Sequence, residues 1–322
     1  METKALAVIL GAGPVGVAVA HQFLDRGLAV RFVTRSGRRV EVPGTETVGA
    51  DIRDRAALGA AAAGAQVLVH AVGIAYQDWA RDLPPMHDAV LAAAEAAGAV
   101  AVFVENLYSY SEGASPLNEV SLEDPPTRKG ALRKTLTHQW LKAHQEGRIR
   151  GVSVRASDYW GPGASRSPNS HFGSRFFPEF EAGKSVAFLG DPDAPHSYTY
   201  LPDFARALAD VALDPGAWGQ VWISPSLVPT TARTVARKFG ETAGRTVKVG
   251  RLPRTLVRFL GLFNPLIREV VEMLYQFEKP FTVDASRFEH RFGWKATDLD
   301  TAVRQTWDAH RSQTVRPATT VR

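Results

Sequence analysis

The sequence predicts an α/β fold: a doubly wound parallel sheet with helices on both faces, joined to a smaller, mostly helical C-terminal lobe. Three observations predict it. Short apolar runs alternate with helical patterns through the first half of the chain. The first of these runs breaks into the turn Gly11-Ala12-Gly13-Pro14-Val15-Gly16. After Tyr159 the texture changes to a Gly/Pro/Ser loop, a crowd of aromatics, and then mainly helical sequence.

Each element follows from its own residues. Ala5 to Leu10 is a run of small and branched apolar side chains, as in a strand buried on both faces. In the turn behind it, Gly11 permits the tight bend and Gly13 lets backbone approach a pyrophosphate, while Gly16 lets the next helix pack on the strand. Pro14 and Val15 open that helix, whose N-terminal amides and dipole suit the phosphates. Val17 to Leu24 continues it, Gly27 caps it, and Leu28 to Val33 reads as a second strand. Strand, glycine turn, helix and strand in about thirty residues make a Rossmann-type dinucleotide site, against the alternative of a turn with no ligand.

The alternation continues. Asp54 to Ala63 reads as an Ala-rich helix closed by Gly64, and Gln66 to Val72 as a buried strand. Pro84-Pro85 is expected to open a helix through Ala97, ended by Gly98. Val100 to Val104 is a strand, Leu132 to Gln145 a helix, and Arg150 to Arg155 a strand. Tyr198 to Asp203 leads into a helix through Leu213, and Gln220 to Ile223 returns as a strand. Residues 1–164 are therefore assigned to the dinucleotide-binding domain, with 196–224 returning to it. Residues 165–195 and 225–312 form the substrate lobe, and 313–322, without periodicity, a disordered tail. Phe172, Phe176, Phe177 and Phe180 read as plain core rather than as a ligand pocket.

Composition excludes some classes. No apolar run approaches the roughly 20 residues of a membrane span, so no membrane partner is expected. With no cysteine there is no thiolate nucleophile or zinc-thiolate site, and no His/Asp/Glu spacing suggests a metal. The net charge of +5 comes from 29 arginines and 9 lysines against 33 acids. Those cations are scattered rather than interleaved with aromatics, which argues against a nucleic-acid partner. Local knots fall at Arg35 to Arg39, Arg128 to Lys134 and Arg251 to Arg258. The first strand follows the N-terminus at once, leaving no leader, and a cytoplasmic protein acting on a small molecule is expected. Self-association into a homodimer is left open.

Several segments in order resemble the extended short-chain dehydrogenase/reductases of the NAD-dependent epimerase/dehydratase family. They are Gly11 to Gly16, Asp51-Ile52, Asn106-Leu107-Tyr108-Ser109-Tyr110, Arg155 to Gly163, His196 to Ala205, and Phe292 to Thr297. The resemblance covers nearly the whole length. It implies hydride transfer between a nicotinamide and a carbonyl, hydroxyl or conjugated double bond, with the second lobe holding the substrate. Family members carry Ser/Thr after the fifth strand and then Tyr-x-x-x-Lys. Here Asn106 stands at the serine, Lys129 at the tyrosine and Arg133 at the lysine. A non-catalytic nucleotide-binding sensor is the alternative to an enzyme.

Lys129 is the sharpest catalytic candidate: like charge from Arg133 and burial would lower its pKa into a useful range. The other reading is that Lys129 and Arg133 bind ribose and phosphate. Tyr110 or Tyr108 could bring a phenol to substrate, and Asn106 could orient a carbonyl. Tyr159, His171, Arg175 and His196 lie in segments expected to meet substrate. Enzymes using NAD place an acid at the end of the second strand. Here that place reads Thr34-Arg35-Ser36-Gly37-Arg38, with no acid and with donors suited to a 2′-phosphate. NADP(H) is favoured, with NAD(H) the alternative. Asp51 and Ile52 would flank the adenine, Ala71-Val72-Gly73 the nicotinamide side, and Ser157, Asn106 and Lys129 complete the cofactor set.

Overall fold

The computed structural model describes residues 4–168 and 170–315. In chain order the elements are β1 Leu6–Leu10, α1 Pro14–Asp25, β2 Ala29–Thr34, β3 Thr45–Gly49, α2 Arg55–Ala61, β4 Ala65–His70, α3 Trp79–Ala97 and β5 Val100–Asn106. There follow α4 Arg128–Gln145, β6 Arg150–Ala156, β7 Tyr159–Trp160, α5 Phe177–Glu181, β8 Ser185–Leu189, β9 Thr199–Tyr200, α6 Leu201–Leu213 and β10 Val221–Ile223. The chain continues through α7 Ala232–Ala243, β11 Lys248–Leu252, α8 Arg254–Phe263, α9 Pro265–Val271, α10 Ser286–Phe292 and α11 Leu299–Val315.

Seven strands form one parallel sheet in the order β10-β6-β5-β4-β1-β2-β3. The order reverses between β1 and β4, and ligands of such sheets bind at that switch point, beyond the strands' carboxyl ends. One face of the sheet is covered by α1 and α6, where Val19, Phe23, Phe204 and Leu208 are fully buried. The other carries α2, α3 and α4 through Leu58, Val90 and Trp140. Asp54 caps α2 by accepting from the amides of Ala56 and Ala57, which sets where that helix begins.

Two expectations shift at helix starts. The helix expected at Pro84 begins five residues earlier, at Trp79, with both prolines inside it. Buried Trp79 and Leu83 pack against Leu136 of α4, and that burial offsets the two missing N–H groups. The helix expected at Leu132 starts at Arg128, because Thr127 caps it by accepting from the Gly130 amide. Lys129 thus sits in a first helical turn.

Beyond the sheet, Phe172, Phe176, Phe177 and Phe180 are buried with Trp160, Phe239 and Trp307, so these rings are core as expected. The lobe's elements are mainly helices, and β8 and β11 also pair in parallel as a separate two-stranded sheet. The expected disordered tail is also displaced, since α11 runs through Gln313 to Val315, where Arg166 donates to the Gln313 carbonyl at 2.9 Å. Its remainder, 316–322, lies outside the described residues. Among the described residues no helix is long and apolar enough to cross a membrane.

Candidate active site

The glycine turn fits a dinucleotide on steric grounds. Gly11 has φ of +95°, and a Cβ there would meet the Ala71 carbonyl at 3.1 Å. A Cβ on Gly16 would lie 2.2 Å from the Gly11 carbonyl oxygen, so only glycine lets α1 sit this close to the turn. Gly13 differs, since a Cβ there would meet nothing within 4 Å. Its backbone faces open space at the head of α1, with Pro14 in the first turn and Val15 buried beneath. Ala71, Val72 and Gly73 run alongside, tied in by the Ala71 amide donating to the Leu10 carbonyl at 3.1 Å. The turn and this loop form the two walls of the switch point.

At the end of β2, Thr34 is half-buried, while Arg35, Ser36 and Arg38 are exposed. The Ser36 hydroxyl accepts from the Arg38 amide at 3.3 Å, which orders the turn. Asp51 is paired with Arg53 at 2.6 Å. Hydrogen bonds from the Arg53 side chain and amide hold its carboxyl down at about 2. Ile52 is buried in the core below.

A second group of side chains gathers where β4, β5 and β6 end. The Tyr76 and Tyr108 hydroxyls are hydrogen-bonded at 2.7 Å, and both rings pack against Trp79. Burial pushes the Tyr76 phenol up, and the Tyr108 hydrogen bond pulls partly back. Burial pushes Tyr108 well up, reinforced by the charges of Tyr76 and Asp158. Asn106 turns its carboxamide oxygen to the Tyr108 amide at 3.1 Å and so fixes the loop carrying that phenol. After β6, Asp158 accepts from His196 at 2.9 Å. Burial raises the Asp158 carboxyl, but the hydrogen bond and charge of His196 outweigh it and leave it low. Ser157 is buried in the same network, 3.2 Å from the His196 ring nitrogen.

Lys129 has different company from that expected. It is buried and ion-paired with Glu269 at 2.5 Å and with Glu272, both brought over by the segment of α9 and the residues after it. Its ammonium lies 5.1 Å above the Tyr76 ring. Two carboxylates, rather than Arg133 alone, set its surroundings. Arg133 lies one turn on, stacked over the Trp79 ring at 4.5 Å.

One further expectation is corrected by burial. Tyr110 is 1% exposed beneath Arg155, whose guanidinium covers its ring at 4.6 Å, so its phenol does not open on the site. Arg155 is itself 1% exposed and bridges Glu105 at 3.1 Å and Glu123 at 2.6 Å. Tyr159 is half-buried and packs against the sheet core. Arg175 is exposed and makes no ion pair among the described residues. His171 does lie near the site: its ring stacks parallel to His196 at 6.2 Å, and burial pushes it down to about 4.

Sequence reasoning missed Tyr76, Asp158, Glu269 and Glu272. The position of Tyr76 just past a strand end was the available signal, since that is where ligands of this architecture bind. Among the described residues no group of three or more His, Asp or Glu could hold a metal.

The family model for the NAD dependent epimerase/dehydratase family matches residues 7–217. No curated protein matches the chain. Solved structures share its fold at low identity. UDP-N-acetylglucosamine 4-epimerase from Bacillus cereus is 15% identical with a TM-score of 0.74, over 95% of this chain and 96% of that one. UDP-glucose 4-epimerase from Thermotoga maritima, solved with UDP-glucose, is 16% identical with a TM-score of 0.76, over 96% and 99%. UDP-glucose 4-epimerase from Thermus thermophilus, solved with NAD, is 18% identical with a TM-score of 0.74, over 95% and 99%. With its glycine turn at the switch point, the chain belongs to the NAD dependent epimerase/dehydratase family and is an epimerase/dehydratase-like enzyme.

Proposed function

We propose that the protein is an NADP(H)-dependent member of this family that moves hydride to or from a small carbonyl or alcohol, with the Tyr76–Tyr108 pair handling the proton. The observation that carries this is the hydroxyl pair at 2.7 Å, carried by the loops after β4 and β5, the two strands next to β1 on the switch-point side. A bound nicotinamide supplies the hydride. Gly11, Gly13 and Gly16 would hold its pyrophosphate, and Arg35, Ser36 and Arg38 the ribose end.

The direction of the phenol shifts suits donation. Burial keeps Tyr108 and Tyr76 protonated at neutral pH, so either can hydrogen-bond a substrate oxygen and give up a proton as negative charge builds there. The 2.7 Å partner can pass its proton across to the donor, and the proton the pair has lost is regained from solvent. Lys129 lies 5.1 Å above the Tyr76 ring and, held by Glu269 and Glu272, packs that ring in place, a positioning role instead of the proton transfer first expected of it. Asp158 and His196 form the facing wall, where a substrate hydroxyl would find an acceptor.

The test begins with titrations of the full chain by NADPH and NADH, read by nicotinamide fluorescence. NADPH is expected to bind about tenfold tighter or more, and Arg35→Ala with Arg38→Ala to erase that margin. Binding of neither nucleotide overturns the proposal. Carbonyl compounds and UDP-sugars are then screened for turnover. Tyr108→Phe is expected to lose about 10²–10⁴-fold in kcat with nucleotide affinity unchanged. Full turnover in both Tyr76→Phe and Tyr108→Phe would remove the phenols from the mechanism.

A further inference from the structure

The third arginine knot, Arg251 to Arg258, has no part in the chemistry described above, yet two of its side chains line a cleft. That cleft has a volume of about 500 Å³, enough for a small molecule, and is walled by α8, α9 and the head of α4. At about 100° per residue, Arg254, Arg258 and Gly261 fall within about 60° on the side of α8 that faces it. A Cβ on Gly261 would lie 3.2 Å from the Arg268 Cα, so glycine lets α9 bring Arg268 beside the same turn.

Three guanidinium groups therefore meet where the acids are already taken. Glu112 of the cleft pairs with Lys279 at 3.1 Å, Glu272 holds Lys129, and Arg254 pairs with Glu278 at 3.0 Å. Among the described residues Arg258 and Arg268 have no carboxylate within ion-pair distance. Donors beside them also lack acceptors. Tyr275 is 8% exposed and lines the cleft, and its buried hydroxyl has no partner among the described residues. Burial pushes that phenol up, so at neutral pH it keeps its proton to donate. The Arg254 Nε is buried and unpartnered in the same way. At the head of α4 the Thr127 side chain serves the Gly130 amide, and those of Arg128 and Lys129 have no acceptor within the helix. Unpaired cations, a buried donor without an acceptor and the positive end of an 18-residue helix all call for negatively charged oxygen.

We propose that this cleft binds a small doubly charged oxyanion, a phosphate monoester or a dicarboxylate, held between Arg258 and Arg268 with the Tyr275 hydroxyl donating to it. A guanidinium fork fits either group, and two arginines without acids match two negative charges. A neutral ligand would leave those charges unpaired. No residue of the glycine turn lines the cleft, so this anion is a second ligand beside the dinucleotide. The two sites share one contact: Glu272 lines the cleft and holds Lys129, which lies over the Tyr76 ring.

The test is calorimetric titration of the full chain with inorganic phosphate and, separately, with succinate, both at physiological ionic strength. Saturable binding of at least one is expected, and the stronger of the two tells a phosphate from a carboxylate ligand. Arg258→Gln/Arg268→Gln should weaken it about tenfold or more, and Tyr275→Phe by a smaller factor. Both arginines are exposed, so their variant should melt with the wild type. Arg258→Lys/Arg268→Lys should recover part of the affinity, because charge returns without the fork. Gly13→Ala should bind the anion as the wild type does. No saturable binding of either anion by the wild type overturns the proposal, as does wild-type affinity in Arg258→Gln/Arg268→Gln. Binding lost in Gly13→Ala but kept in the arginine variant would assign the anion to the glycine turn and overturn it equally. No nucleotide enters these titrations, so their failure is separate from a failure of the hydride-transfer reading.

Discussion

Replacing Lys129 with methionine separates a structural from a purely chemical role for this residue. The side chain is 5% exposed, and its two carboxylate partners, Glu269 and Glu272, are 19% and 22% exposed. Removing the ammonium leaves those carboxylates facing each other with little water. Breaking a fully buried pair costs about 3–5 kcal/mol, and the partial exposure here discounts that to about 2 kcal/mol. For a chain of 322 residues the melting temperature should fall by about 3 °C. Lys129→Met/Glu269→Gln/Glu272→Gln should recover about half of the loss, since the stranded charges are gone. The pH dependence has a fixed sign. The Lys129 hydrogen bond holds the Glu269 carboxyl below 4.5. Such a carboxylate adds stability that is full above its unfolded pKa and is lost as pH falls through its lower folded value. The advantage of wild type over Lys129→Met should therefore shrink in that acid range. The assay is thermal and urea unfolding followed by circular dichroism. A Lys129→Met protein melting within about 1 °C of wild type at pH 7 would refute the reasoning.

Other predictions follow from the same contacts. Gly13→Ala should melt like wild type yet bind dinucleotide about tenfold or more weakly, because its methyl group enters only the space a pyrophosphate needs. Gly16→Ala should lower both stability and binding, its Cβ being driven against the Gly11 carbonyl; unfolding curves and nucleotide titration measure each. Glu105 accepts from Trp140 at 3.0 Å, from Thr137 and from Arg155, so Glu105→Gln should cost about 2–4 kcal/mol in urea unfolding. Burial pushes His70 down to about 3 and His87 to about 4. Their neutral forms contribute stability that is full above about 6.5 and is lost as pH falls towards 4, so the urea midpoint should drop between pH 7 and 5. His87→Gln should flatten that drop.

What the sequence makes legible is what local chemistry specifies. The glycine turn depends on positive φ and missing Cβ atoms within six residues, and the buried strands advertise themselves as short branched runs. Strands β8 and β11 do not, because each is five residues long and its partner lies about sixty residues away in the chain. The start of α3 is hidden because buried Trp79 and Leu83 override the usual placing of Pro84-Pro85. At the site, Lys129 and Arg133, four residues apart in a helical pattern, are visible from residue types alone. What surrounds Lys129 is not, since Glu269 and Glu272 are 140 and 143 positions away and only tertiary packing brings them in. Tyr76 opens a short 3-10 turn leading into α3, and only its place after β4, not any period, marks it.

The paired carboxylates over Lys129 also constrain how this chain could change. Writing tyrosine at position 129 would set a phenol against two negative charges that favour its protonated form. The substitution would lose stability before it gained any chemistry. A workable route neutralises Glu269 and Glu272 first, and each of those steps strands the lysine in turn. The order of mutations therefore matters more than their identity, and the present arrangement is a local trap from which single substitutions lead only downhill.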